Sequence, residues 1–247
     1  MQTKKRTTKR KGVKNLKNRI IKILKVIFIY IPLFFVLLSL TSTLLYKWIP
    51  VWVTPLMVQR SIENIGNKDF KTHKKWVALE KISPNMVMAV IASEDNRFME
   101  HKGFDWIEID KAVEAGRSGK RLRGASTISQ QTAKNVFLLP SRSWVRKGLE
   151  VWFTLLIENI WGKRRIMEVY LNVAEMGRGV YGAEAAASEI FGKTAQKLTL
   201  RESALIAATL PNPLKRRADR PSAYMSARAS AITDLMWKVP KPDWLNK

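Results

Sequence analysis

From Val26 to Tyr46 the chain runs 21 residues without a charge, between Lys25 and Lys47. At 1.5 Å per residue, a helix of that length reaches about 30 Å, the thickness of a bilayer's hydrocarbon core. A cleaved signal peptide would want a shorter apolar core and a small-x-small exit. This core leaves through Leu44-Leu45-Tyr46-Lys47, so it reads as a retained anchor. Tyr46, Trp48 and Trp52 stand where interfacial aromatics belong, and the segment from Pro50 to Met57 either hugs the membrane or serves as a short linker.

Beyond the anchor, over roughly residues 60–240, apolar spacing is mostly helical, strand-like alternation is scarce and there is no internal repeat. The best-marked helix begins at Ser83, a candidate N-cap followed by Pro84, with Ile82 and Val87 at the two staple positions. Val87, Val90, Ile91 and Glu94 then share one face. Glu94 either ends this helix in water or lies against the apolar stripe. In the second case burial would raise its carboxyl pKa into the range of a proton acceptor working near neutrality. Further helices are predicted over 105–115, with Trp106, Ile109 and Val113 on one side, and over 127–137. A longer one over 143–161 has Val145, Leu149, Trp152, Phe153, Leu156 and Ile160 as its inward stripe. Others cover 164–176 and 183–191, the latter stopped by Gly192, and the last starts at the capping box Thr199-Leu200-Arg201-Glu202 and ends before Pro211. Residues 116–124 form a glycine-punctuated basic loop, expected to be mobile. Gly177-Arg178-Gly179-Val180-Tyr181-Gly182 fits G-x-G-x-x-G, but it follows a helix rather than a strand. It is read as a tight helix-to-helix turn, not a dinucleotide site.

Charge adds a direction to this layout. Lys and Arg number 44 against 20 acids, and eleven of the cations lie in residues 1–25, where there is no acid. Such a tail stays on the cytoplasmic side and sends everything after Lys47 across the membrane. The remainder is still basic, which points to an anionic partner: phosphate, nucleic acid or lipid headgroups. Cysteine is absent, which excludes disulfides and cysteine metal sites.

Three clusters carry candidate chemistry. In 94–103, Glu94 and Asp95 are followed by His101 and Gly103; His101 is read as a structural hydrogen-bonder, and His73 is too far along the chain to suggest a metal pair. In 124–135, Ser126, Gln130 and Lys134 repeat at i, i+4 and i+8, beside Gln131 and Asn135. This acid-free polar stripe is either a solvated face or a surface for sugar hydroxyls and phosphate oxygens, with helix N-terminal N–H groups offered to an anion. In 142–150, Arg146 and Lys147 precede Glu150 by one turn. They form a surface salt bridge or keep Glu150 ionised while Glu94 is pushed toward neutrality. Two carboxyls tuned apart suit glycosyl transfer. Glu158 is read as a buried structural partner.

Five stretches in order, EDNRFMEHKG at 94–103, GASTISQQTAKN at 124–135, RKGLE at 146–150, KRRIMEVYLN at 163–172 and LTLRESALIAATLPNPL at 198–214, resemble the glycosyltransferase domain of peptidoglycan polymerases, in its monofunctional layout. The resemblance implies a mostly α, lysozyme-like glycosyltransferase domain behind a single N-terminal transmembrane helix. Residues 1–25 would be a basic cytoplasmic tail, 26–46 the helix in the inner membrane, and 47–247 a periplasmic domain. It implies polymerisation of lipid II with inversion and release of undecaprenyl pyrophosphate, the rival on a similar fold being a lytic transglycosylase or muramidase. By this resemblance Glu94 is the general base and Glu150 assists the departing pyrophosphate, through a divalent cation (Mg or Mn) or through neighbouring cations. Ser126, Gln130, Gln131, Lys134 and Arg142 match substrate-contacting positions. The partners implied are lipid II, glycan on undecaprenyl pyrophosphate, membrane lipids and cell-wall synthesis or division proteins, with no nucleic acid and no metal ligands among the site residues. No S-x-x-K occurs in the chain, so transpeptidase activity is not expected.

Overall fold

A computed structural model of the chain describes residues 15, 18–119 and 124–245. The chain divides into two units, Met1–Leu45 and Tyr46–Lys247. The first is dominated by helix α1, Asn18–Tyr46, long and apolar enough to cross a membrane. Its described run already covers the eight residues before the uncharged stretch, because Arg19, Lys22 and Lys25 are good helix formers and hydrophobicity does not set a helix end. Val26–Tyr30 is wound as a π-helix within it. Residues 1–14, 16 and 17 of the predicted tail lie outside the described residues, as do residues 120–123 of the basic loop.

The second unit is built around helix α3, Pro84–Glu94, the third after α1 and α2 (Pro55–Glu63). Ser83 caps it by accepting the Asn85 N–H, Pro84 occupies its first position, and the staple residues Ile82 and Val87 are both buried. The sequence predicted one buried stripe. Instead every residue from Met86 to Ala92 is buried, as befits a helix with almost no polar side chain to turn outward. Helices α4 to α10 follow as Trp106–Arg117, Ile128–Phe137, Trp144–Ile160, Gly162–Val173, Ala183–Phe191, Leu200–Thr209 and Ala223–Met236. Of these, α9 and α10 pack on α3 and on each other, while α5 packs on α6 and α7.

Of two predicted inward stripes, one has no buried residue, and the other is buried only at Phe153, with Leu149, Trp152, Leu156 and Ile160 half-buried. Helix α4 buries no residue, and Trp106 is 68% exposed. On α6 the inward residues are Glu150, Phe153, Thr154 and Ile157, whereas Val145 is 75% exposed. Phe153 stacks on Phe137 of α5 with ring centroids 4.3 Å apart, which fixes the rotation of α6.

The predicted helix over 164–176 stops at Val173, and the glycine-rich turn is a β-hairpin. Strands β1 (His73–Lys74), β2 (Glu175–Gly177) and β3 (Val180–Tyr181) form one small sheet in the order β1-β3-β2. Strand β3 is parallel to β1 and antiparallel to β2, with an irregularity between Glu175 and Gly177. Gly182, at φ 83° and ψ 164°, then turns the chain into α8; a Cβ there would lie 2.8 Å from the Asn172 carbonyl oxygen. That backbone region is essentially reserved for glycine, so Gly182→Ala is expected to cost about 3 kcal/mol. The measurement is the midpoint of chemical denaturation, which should fall.

Candidate active site

Glu94 is the last residue of α3, where the negative end of the helix dipole already disfavours a carboxylate. The residue keeps part of its surface in solvent, but protein crowds the carboxyl group closely enough for burial to dominate. Its pKa is raised, chiefly by that burial and also by neighbouring Asp95; the Gln131 hydrogen bond, Arg228 and Lys134 pull the other way. Gln131 Nε2 donates to Glu94 Oε2 at 2.9 Å, and the Tyr170 hydroxyl donates to Gln131 Oε1 at 3.2 Å. An ionised carboxylate can only accept, so the amide turns its N–H to Glu94 and its oxygen to the Tyr170 hydroxyl, which burial keeps protonated.

The relay opens onto a cavity of about 600 Å³ whose wall includes Gln131, Lys134, Asn135, Arg142, Arg146 and Tyr170. Among the described residues Lys134 is in no ion pair. Its ammonium is lowered in pKa by burial first and by Arg146 and Lys147 after that, with Glu150 and Glu94 opposing. One lysine thus feels both carboxylates. Glu150 lies behind the wall, 3% exposed, accepting from Arg146 Nη1 at 2.6 Å and from Lys147 Nζ. The result is a cationic surface organised from behind by one acid, with a proton acceptor beside it.

A family model described as transglycosylase matches residues 59–237. The biosynthetic peptidoglycan transglycosylase of Bacteroides thetaiotaomicron is 57% identical over 210 residues, 85% of each chain. That of Bdellovibrio bacteriovorus is 54% identical over 201 residues, 81% of this chain and 80% of the relative. That of Caulobacter vibrioides is 52% identical over 204 residues, 82% of this chain and 87% of the relative. The chain belongs to the transglycosylase family.

Not every residue nominated from sequence in this transglycosylase-family chain lies on the cavity. Gln131, Lys134 and Arg142 do, and Glu94 is one hydrogen bond away. Gln130 is buried, and its carbonyl oxygen accepts the Thr127 N–H at 3.0 Å in the capping box that starts α5. Ser126 precedes that cap, exposed and outside the helix, so the i, i+4, i+8 stripe does not form. The stripe that does form runs through Gln131, Lys134 and Asn135. Nor are the N–H groups of α5 open to a ligand anion. Ile128 N–H donates to Asp95 Oδ2 at 3.0 Å and Gln130 N–H to Thr127 Oγ1, so the protein supplies its own carboxylate.

His101 is the structural hydrogen-bonder expected. Its Nδ1 accepts the Gly103 N–H at 3.2 Å, which leaves the proton on Nε2, 2.9 Å from Asp95 Oδ1. Asp95, His101 and Asp105 lie close together. Their ligand atoms are already used within the protein, however, since Asp105 Oδ1 caps α4 through the Glu108 N–H. Glu158 is likewise held by Ser129 and, at 2.7 Å, by Lys163. At the cavity, both Glu150 oxygens are taken by Arg146 and Lys147, so these residues do not fit as a protein cradle for a divalent cation.

Sequence reasoning missed Tyr170 and Arg228. Tyr170 sits inside a quoted motif, but nothing in its spacing separates a hydroxyl aimed at the site from a core aromatic. Arg228 is a lone cation more than a hundred residues from Glu94 along the chain, and its Nη2 approaches the Ser93 carbonyl oxygen at 3.5 Å.

Proposed function

We propose that this peptidoglycan glycosyltransferase extends glycan strands with Glu94 as general base and the Lys134–Arg142–Arg146 surface as the pyrophosphate site. The acceptor is lipid II and the donor a glycan on undecaprenyl pyrophosphate. Glu94 takes the proton from the acceptor sugar hydroxyl, whose oxygen forms the new bond to the donor's anomeric carbon from the face opposite the leaving group. The bond from that carbon to the pyrophosphate breaks, its electron pair passing to the phosphate oxygen. Lys134, Arg142 and Arg146 meet the charge that develops there, and Glu150 orients Arg146 and Lys147. The observation carrying this reading is the placement of a carboxyl with a raised pKa one hydrogen bond from an acid-poor cationic cavity.

Helix α1 anchors the enzyme, with the basic tail cytoplasmic and the domain periplasmic, where its substrates' lipid chains lie beside it. Trp48, Trp52 and Val53, each at least 60% exposed, offer an apolar surface near the anchor's exit and favour the membrane-hugging alternative over a plain linker. A lytic reading is not favoured, because cutting a finished glycan gives the cationic wall nothing to neutralise.

Incubating the detergent-solubilised enzyme with lipid-linked disaccharide precursor should yield polymer, while finished glycan should keep its length; the reverse outcome would favour lysis. Lys134→Ala should raise the KM for donor about tenfold or more, the weight of one charged hydrogen bond, with a smaller effect on kcat. An unchanged response to donor concentration would argue against a pyrophosphate contact at this residue.

A further inference from the structure

The C-terminal helix α10 carries no chemistry that its sequence declares, yet it packs directly on α3, the helix that ends in Glu94. Met225, Ala229, Ile232 and Met236 form its buried face. That seating brings the half-buried Arg228 to the carboxyl end of α3, with Nη2 3.5 Å from the Ser93 carbonyl oxygen. At that separation the contact is a long hydrogen bond, and its weight is mainly electrostatic. A helix end presents carbonyls without intrahelical partners and a partial negative charge. A carboxylate placed there, and crowded by protein as well, is opposed twice over.

We propose that Arg228 is a positioning residue for Glu94, its guanidinium covering the carbonyl end of α3 and holding the base in its proton-accepting form. This rests on Glu94 being the general base. Arg228 is among the groups that lower the Glu94 pKa against the effect of burial, ahead of Lys134. The other groups bearing on Glu94 are Gln131 and Lys134 from α5 and Asp95 at its own helix end, with the buried Tyr170 hydroxyl behind Gln131. Helix α9, also packed on α3, has its charged residues Arg201 and Glu202 in its first turn, where Glu202 is paired with Lys193. An arginine does not titrate in the working range, so its influence is constant and the pH response belongs to the carboxyl group.

The test is the pH–rate profile of the detergent-solubilised full chain with lipid-linked precursor. In Arg228→Gln the acidic limb should move to higher pH. Activity at a pH on the parent's limb should fall about tenfold and return as the pH rises, while Arg228→Lys should follow the parent. Where the glutamine variant is poorly folded, Arg228→Met keeps the apolar stem packed and reads the same limb. An unmoved limb in the neutral variants would overturn the proposal, as would a loss equal at every pH, the mark of packing alone. Glu94→Gln, run alongside, separates the two claims. If that variant stays active, the general-base reading fails; if it is inactive and the Arg228 limb is unmoved, only the present proposal fails.

Discussion

Glu94→Gln is expected to lower polymerisation at least a hundredfold at neutral pH and leave the domain folded. Loss of a general base has that scale. The side chains are nearly the same size, and the new amide oxygen can accept from Gln131 Nε2 as the carboxylate does. Stability should not fall. The Glu94 pKa is raised in the folded protein, so its contribution to stability is complete below the ordinary carboxyl pKa and is lost as the pH rises through the raised value. At neutral pH glutamine removes that penalty. The variant should therefore melt no lower than the parent, and its advantage should shrink as the pH falls into the ordinary carboxyl range. Turnover of lipid-linked precursor and thermal melts at several pH values provide the check; near-normal turnover would refute the role of Glu94.

Glu150→Gln should do the opposite to stability while also impairing turnover. Glu150 is buried and accepts from both Arg146 and Lys147. Removing one partner of a buried pair leaves the other charge uncompensated, at a cost of about 3 kcal/mol. For a domain of this size, that corresponds to a Tm lower by roughly 6 to 12 °C. With the carboxylate gone, Arg146, Lys147 and Lys134 repel one another, so Lys134 should lose its proton more readily. Adding Lys147→Gln to Glu150→Gln removes one of the stranded charges. The double variant should regain much of the lost Tm without regaining the lost activity. A single variant melting like the parent would show that the pair contributes nothing.

Helix boundaries were readable wherever the signal is local. Ser83, Asp105, Thr127, Ser143 and Thr199 all cap the helices they open, and Gly192 closes α8 in the left-handed conformation. Facing was harder to read. On α6 the exposed Trp144 and Val145 are as apolar as the buried Phe153 and Ile157, so hydrophobicity alone could not say which side faces in. Where an apolar surface can also meet a partner or a membrane, apolar no longer means interior. The hairpin at 175–181 was invisible because its strands are two and three residues long, and β1 pairs with β3 from a hundred residues away. At the site, Gln130 and Gln131 are the same residue type side by side. Only the backbone decides that the first closes a cap and the second faces the cavity.

Asp95 joins the end of α3 to the start of α5 through the Ile128 N–H, while Glu94 and Gln131 tie the same two helices one turn further in. Glu94 and the cavity-facing side of α5 are therefore stitched together at two points. A substitution that shifts either tie is expected to move the carboxyl and Lys134 together rather than one at a time.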